Sequence, residues 1–166
     1  MMTDRPDYSD IIARLERASG ADRELDAAIA CLFPETLGIA HVEECSGFRP
    51  SSTGAIYYNR DGSGAVMSTS GADIRPFTAS LDASLDLVGE KLPGWTWMIR
   101  QRDCHEAAAG AFTARLASPD FEAEEWASGS ITKTDVLSGR DATAGAITPA
   151  LAVLIALFRA LEDGRE

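Results

Sequence analysis

The stretch TPALAVLIALFRALEDG, residues 148–164, constrains the fold of this chain more than any other. Thr148 is a residue type that caps helix N-termini, Pro149 suits the first helical position, and Gly164 follows the last periodic residue. The apolar stripe consists of Leu151, Leu154, Ile155, Phe158 and Leu161, widened by Val153 and Leu157. A helix that is apolar on most sides must be buried. We therefore predict a central packing helix or, alternatively, a helix shared with a second copy in a homodimer.

Three earlier segments also show helical periodicity, and the first two of them are predicted to be two helices or one broken helix. They end near Gly20, at Pro34 and at Pro93-Gly94. Their predicted N-caps are Asp7 or Ser9 for the first, Asp22 for the second, and Thr78 or Ser80 for the third. Their predicted buried stripes are Ile11, Ile12, Leu15 and Ala18; Leu25, Ala28, Ile29 and Leu32; and Leu81, Leu85, Val88 and Leu92.

The remaining regular segments are predicted to be β-strands. AIYYNRDGSGAVMSTS, residues 55–70, has the pattern of a hairpin that turns at Asp61-Gly62 and returns over Ala65 to Thr69. The preceding segment, 41–54, is expected to be irregular. A second pair comprises WTWMIRQ, with Trp95, Trp97 and Ile99 buried under a helix, and a strand with Phe112, Ala114 and Leu116 on one face. The period is lost after Pro119, where only 131–137 is a candidate short strand.

The order helix, helix, hairpin, helix, hairpin, helix predicts an α+β fold. Hairpins imply antiparallel pairing, and a sheet with one apolar face needs helices to cover it. We expect an antiparallel sheet of about four strands flanked by helices, in an α/β/α sandwich-like arrangement. No linker, internal repeat or low-complexity segment interrupts the chain, so residues 1–166 are expected to form a single domain.

The charge excludes several classes of partner. The 166 residues carry a net charge of −11, whereas direct binding to nucleic acid needs clustered Lys and Arg. Attachment to a membrane surface is disfavoured for the same reason, and the longest apolar run, 150–158, is too short to span a bilayer. The first ten residues lack the apolar core of a secretory signal, and the three cysteines are an odd number. We therefore expect a cytoplasmic protein.

Three blocks of sequence, in this order, carry a family resemblance: ARLERASGADRELDAAIA; PFTASLDASLDLV followed by GWTW; and TPALAVLIALFRAL. The pattern resembles the phage ABA sandwich domain family, small phage and prophage proteins of uncharacterised function. The resemblance implies a three-layer α/β/α fold and a phage or prophage origin, hence location in the cytoplasm of a bacterial host. It implies no catalytic residues. Residues 33–76 are longer than the family pattern, so this segment, with its β-hairpin, is a candidate family-specific insertion.

Arginines near aromatic residues form the first candidate site. Arginine stacks on aromatic rings and forms bidentate contacts with phosphate, so such a group suits a nucleotide-like small molecule. The candidate ligand-binding residues are Tyr57, Tyr58, Arg60, Arg100, Arg102 and His105. Surface arginines paired with nearby acids are the alternative interpretation.

A metal site or a cysteine nucleophile is a weaker hypothesis. The residues that could hold zinc are His41, Cys45, Cys104 and His105. Their spacing departs from that of known zinc motifs, and adjacent side chains do not easily reach one ion. Cys104 with His105 or His41 is the corresponding candidate nucleophile and base. We predict no cofactor.

An acidic run, DFEAEEW at 120–126, is the candidate surface for a protein partner. Its partner-binding residues are Glu122, Glu124, Glu125 and Trp126. Carboxylates beside aromatic residues can engage a basic surface, although a solvated helix face explains the same pattern. The sequence as a whole favours a non-enzymatic accessory protein that binds a host protein stoichiometrically, for example in counter-defence. Sequestration of a nucleotide-like molecule is the alternative, and a zinc- or cysteine-dependent enzyme is the second alternative.

Overall fold

A computed structural model describes residues 7–37, 45–51, 54–59, 66–68, 74–101, 111–119 and 141–164. The helices are α1 (Ser9–Arg17), α2 (Arg23–Leu32), a 3₁₀ turn (Pro34–Leu37), α3 (Leu81–Lys91) and α4 (Pro149–Asp163). The strands are β1 (Cys45–Ser51), β2 (Gly54–Asn59), β3 (Val66–Ser68), β4 (Thr96–Gln101), β5 (Phe112–Ala117) and β6 (Asp141–Ala146). The α+β class is therefore confirmed.

The chain divides into two compact units, Met1–Ala83 and Ser84–Glu166, and the boundary falls within α3. Each unit contains one antiparallel sheet, with strand orders β1-β2-β3 and β4-β5-β6. The described residues thus form two sheets of three strands instead of one sheet of about four. The single domain over 1–166 and the insertion over 33–76 stay predictions. The first sheet lies entirely within residues 33–76.

The first sheet is a meander in which Tyr57 of β2 lies between Phe48 of β1 and Met67 of β3. The predicted hairpin strands are confirmed as β2 and β3, and residues 60–65 between them lie outside the described residues. The prediction of irregular structure before them was wrong, because β1 occupies 45–51. Its glycine, proline and serines have low strand propensity, so pairing with β2, not local preference, makes this segment a strand.

Helix α2 packs on β1 and β2 and begins where the sequence predicts. The Asp22 carboxylate accepts hydrogen bonds from the backbone N–H groups of Glu24 (2.9 Å) and Leu25 (3.1 Å), which are otherwise unpaired in a first helical turn. Helix α1 differs, because its N-cap is Tyr8 and its cap has no side-chain hydrogen bond, so neither Asp7 nor Ser9 is the cap. The Asp7 carboxylate accepts instead from the N–H of Ser9 at 2.9 Å and from its hydroxyl at 2.6 Å.

Helix α3 confirms one of its two predicted caps and corrects its predicted stripe. The Ser80 hydroxyl oxygen accepts from the Ala83 N–H at 3.2 Å, so Ser80 and not Thr78 is the cap. The buried residues of the helix are Ala83, Ser84, Leu87 and Val88, whereas Leu81 and Leu85 are half-buried. The buried face therefore includes the small residues Ala83 and Ser84, which a pattern based on large apolar residues does not detect.

Gly94 ends this segment in a conformation that favours glycine. Its φ is +82°, and the Trp95 N–H donates to the Leu92 carbonyl at 3.1 Å. A Cβ at this position would lie 3.2 Å from Cγ of Pro119. The tight turn therefore brings the chain directly from α3 into β4.

The second sheet is packed against α4, which contacts β5 and β6. Strand β6 was missed in the sequence, because DATAGA lacks the large residues by which strands are detected. Ala142 and Ala144 are buried, and such small side chains let a helix approach a sheet closely. The candidate strand over 131–137 lies outside the described residues.

Helix α4 matches its prediction as a packing helix. The Thr148 hydroxyl oxygen accepts from the Leu151 N–H at 3.2 Å. Every residue from Ala150 to Phe158 is buried within a single chain, and each fully buried Leu or Ile contributes about 1.5–3 kcal/mol. The homodimer through this helix stays a prediction that its burial does not support. No helix among the described residues has both the length and the hydropathy needed to cross a membrane.

The prediction that Trp97 is a core residue was wrong, although its face was assigned correctly. Trp97 pairs with Leu116 in register, and Leu116 is fully buried. Yet α4 covers β5 and β6, whereas β4 is the outer strand of the sheet. Trp97 is consequently 51 % exposed. Alternation along a strand indicates which face a residue occupies, but not whether the strand lies under a helix.

Candidate functional site

The three predicted ligand-binding residues that the structure describes, Tyr57, Tyr58 and Arg100, are divided between the two units. Tyr57 and Tyr58 lie in the middle of β2, in the first sheet. Arg100 is exposed in β4, in the second sheet. Arg60, Arg102 and His105 lie outside the described residues. The nucleotide-like ligand therefore stays a prediction.

The predicted metal and partner sites fall largely outside the described residues as well. Cys45 is the first residue of β1 and pairs with Asn59. The other candidate ligands, His41, Cys104 and His105, are not described, and the same holds for Glu122, Glu124, Glu125 and Trp126. Within the described ranges, no group of three or more His, Cys, Asp or Glu side chains could hold a metal ion.

A buried carboxylate that the sequence analysis missed lies at the start of α2. Asp26 is fully buried. Its two oxygens accept from the Thr78 N–H at 2.7 Å and from Nη1 of Arg23 at 2.8 Å. Nη2 of Arg23 also donates to the Ile74 carbonyl at 2.9 Å. We call these four residues the Asp26 cluster.

Thr78 ties the same cluster to the helix cap. Its hydroxyl oxygen accepts from the Asp22 N–H at 2.8 Å and donates to the Asp22 carbonyl at 3.2 Å. The backbone N–H of Thr78 thus binds Asp26, and its hydroxyl binds Asp22. Because both groups are hydrogen-bonded at the start of α2, Thr78 does not cap α3. One sequence signal could have revealed the cluster: an Asp between buried Leu25 and Ile29, with an Arg three residues earlier.

The chemistry of the Asp26 cluster is structural. A general base needs access to a proton on a substrate, whereas both Asp26 oxygens are buried and already accept hydrogen bonds. The described residues contain no buried side-chain nitrogen or oxygen without a hydrogen-bond partner. The cluster therefore fixes residues 74–78 against the first turn of α2.

Cys31 of α2 is a free cysteine and is unsuited to nucleophilic catalysis. Burial raises the pKa of its thiol from 9.0 to about 11, because a charged thiolate loses hydration in an apolar environment. The thiolate is the reactive form. At neutral pH this side chain is therefore a small, inert, apolar group.

The exposed charges of the described residues are predominantly negative. The exposed acids are Asp7, Asp10, Glu16, Glu24, Glu35, Asp82, Asp86, Glu90 and Asp163, whereas the exposed basic residues are Arg17, Arg23 and Arg100. This excess follows the net charge of the chain, but it is not uniform along the elements. The clearest alignment of like charges occurs on α3.

Asp82, Asp86 and Glu90 follow one another at four-residue intervals along α3, and all three are exposed. We call this the α3 acidic face. Like charges at this spacing destabilise a helix by about 0.2–0.5 kcal/mol per pair. Asp82 in the first turn is favoured by the helix dipole, but Glu90 near the C-terminus is not. The stability of α3 therefore does not explain the acid at 86.

Comparisons with protein-family models, with curated protein sequences and with solved structures found no match to this chain.

Proposed function

We propose that this protein acts by binding a basic surface on a host protein stoichiometrically, and that the α3 acidic face forms part of the contact. The observation that carries the proposal is the alignment of Asp82, Asp86 and Glu90 on one exposed helix face in a chain of net charge −11. Complementary charge steers association and selects partners. The local cost of this alignment to α3 supports a role outside the helix.

The biological setting rests on the family resemblance. A small phage- or prophage-encoded accessory protein in the bacterial cytoplasm meets host proteins directly, and counter-defence inhibition is one process that needs no catalysis. The α/β/α layering belongs to the same proposal. The acidic run at 120–126 belongs to the same proposal as a second partner-binding segment.

The test compares two variants that change the net charge by the same amount. Asp86→Lys/Glu90→Lys reverses two charges of the α3 acidic face and leaves the dipole-compatible Asp82 in place. Glu16→Lys/Asp163→Lys is the matched control, because both acids are exposed in the last turn of their helices, where lysine is tolerated. Tagged proteins would be used to isolate the partner from host cells, and the affinity for the purified partner would then be measured across a salt series.

We expect the α3 variant to bind at least about tenfold more weakly and to show a shallower salt dependence. The control should stay close to the wild-type protein. An equal loss in both variants would reduce the effect to net charge and contradict a specific face. Unchanged binding of the α3 variant would exclude α3 from the contact.

A further inference from the structure

Of the four outer strands in the two sheets, three carry a feature that discourages further pairing. Unpaired strand edges attract other strands, and proteins protect them with prolines, bulges, short length or covering groups. Strand β1 contains Pro50 and a register shift between Cys45 and Gly47. Strand β3 has only three residues. At β6, Nη1 of Arg159 from α4 donates to the Thr143 carbonyl at 2.6 Å.

Strand β4 differs from the other three outer strands. All six residues, Thr96 to Gln101, pair with β5 in continuous register, with neither a proline nor a bulge. Among the described residues, β4 has a strand neighbour on one side only. It also carries Trp97, which is the most exposed large hydrophobic residue in the described part of the chain.

The charge of β4 indicates what kind of partner it fits. The strand TWMIRQ has no acidic residue, although the chain has 26 Asp and Glu. A basic partner would gain nothing from such a strip, whereas two copies of an acidic chain repel each other least along a surface that lacks acids. We infer that the edge of β4 opposite β5, which has no strand neighbour among the described residues, pairs with β4 of a second copy and forms a continuous six-stranded antiparallel sheet.

Two-fold symmetry restricts the register of this pairing. An antiparallel pair about a two-fold axis must centre on a residue so that facing side chains lie on the same side of the sheet. Centring on Met98 places Trp97 opposite Ile99 and Thr96 opposite Arg100. Centring on Arg100 would place two arginines together, and centring on Ile99 would place Trp97 opposite Gln101. The registers centred on Met98 and on Ile99 both pair five of the strand's residues, and of these two only the Met98 register places Trp97 opposite an apolar residue.

This dimer does not depend on the proposed host partner, and salt distinguishes the two contacts. Salt screens the repulsion between two acidic copies, so the dimer should strengthen as salt is raised. Binding of a basic host surface should weaken under the same conditions. The interface is small, which predicts a weak dimer whose population depends on protein concentration.

Sedimentation equilibrium of the purified full chain across protein and salt concentrations is the first test. We expect a monomer–dimer equilibrium that Trp97→Glu shifts toward monomer by at least about tenfold in Kd. Ile147→Glu is the matched control, because Ile147 is also an exposed apolar residue (46 %) but lies outside β4. It should leave the equilibrium unchanged. A wild-type protein that remains monomeric at all concentrations would overturn the inference, as would a dimer insensitive to Trp97→Glu.

Cysteine cross-linking tests the register without disturbing the strand. In the Met98 register, the two Met98 α-carbons lie about 4.5–5.5 Å apart, within the range of a disulfide. Two Ile99 α-carbons would be diagonal neighbours at about 7–8 Å, which is too far. We expect Met98→Cys to give a covalent dimer on oxidation, above the background of the wild-type protein, and Ile99→Cys to give none. The opposite result, or no cross-link from either, would overturn this pairing.

Discussion

The two units are assembled from the same parts but hold helix and sheet together differently. In each, one helix packs on two strands of a three-stranded antiparallel sheet. Helix α4 is apolar and buried at every position from Ala150 to Phe158. Helix α2 is buried from Leu25 to Ala30 but includes Asp26. A buried charge is tolerated only where hydrogen bonds replace its hydration. The packing of α2 therefore depends on the hydrogen bonds of Asp26, whereas the packing of α4 depends on close contact between apolar side chains.

The largest effect is expected in the apolar helix. Phe158→Ala removes a fully buried ring from α4 and should lower the free energy of unfolding by about 3–5 kcal/mol. Leu161→Ala, at a half-buried position of the same helix, should cost clearly less. Urea denaturation of both variants measures the difference. Equal losses would contradict the assignment of the core of the second unit.

The Asp26 cluster should give the next largest effect. Asp26→Ala leaves the buried Thr78 N–H without its acceptor and should cost about 1–3 kcal/mol. Arg23→Ala should cost at least as much, because it leaves a fully buried Asp26 oxygen without the guanidinium that replaces its hydration. Asp26→Asn retains an acceptor for the Thr78 N–H and should cost less than Asp26→Ala. A clearly smaller loss for Arg23→Ala than for Asp26→Ala would show that the buried carboxylate does not depend on the arginine.

Two glycines near the C-terminal end of α3 should respond with opposite signs. Gly94→Ala places a side chain at φ +82° and against Pro119, and should destabilise by about 1–2 kcal/mol. Gly89 is helical, and an added Cβ meets no atom within 4 Å. Gly89→Ala should therefore stabilise by about 0.5–1 kcal/mol. Thermal unfolding of the pair gives the comparison, and a shared sign would refute the conformations assigned to them.

The smallest effect is a pH dependence in the alkaline range. The pKa of Cys31 rises from 9.0 to about 11 on folding. Between these values the unfolded chain loses its thiol proton while the folded chain keeps it, so the unfolded state binds fewer protons and stability falls as pH rises. Cys31→Ala should reduce this fall in denaturation curves measured from pH 9 to 11.

Lys91 provides a contribution of the opposite sign. Burial lowers the pKa of its ammonium group below 10.5, so the unfolded chain binds more protons in the range just below that value, and stability rises with pH. Lys91→Gln should therefore make stability fall more steeply with rising pH, whereas Cys31→Ala should make it fall less steeply. Identical pH profiles for the two variants would contradict at least one of the assigned burials.

Periodicity and capping chemistry were sufficient to predict the four helices. Asp22, Ser80 and Thr148 accept the backbone hydrogen bonds that their positions predict, because caps act over three or four residues. Strands β1 and β6 could not be predicted in the same way. Their residues have weak strand preference, and their structure comes from pairing with β2 and β5, which lie elsewhere along the chain.

The Asp26 cluster and the exposed position of Trp97 were harder to predict from the sequence than the helices. The position of Asp26 beside Leu25, three residues after Arg23, signals burial in the sequence, but its main donor is Thr78, 52 residues away, and that contact is visible only in the fold. The exposure of Trp97 depends on which strands α4 covers. The spacing of Asp82, Asp86 and Glu90, by contrast, indicates the α3 acidic face from the sequence alone, although the acids at 120–126 are more closely spaced.

Native mass spectrometry of the protein, gently purified from infected or lysogenic bacterial cells, tests the proposed function most directly. The account predicts one or two copies of the 17.7 kDa chain bound to a host protein in a fixed ratio, with the complex dissociating as salt is raised. An added mass of a small ligand or of one zinc ion, without a host protein, would contradict it and favour sequestration or a metal-dependent enzyme.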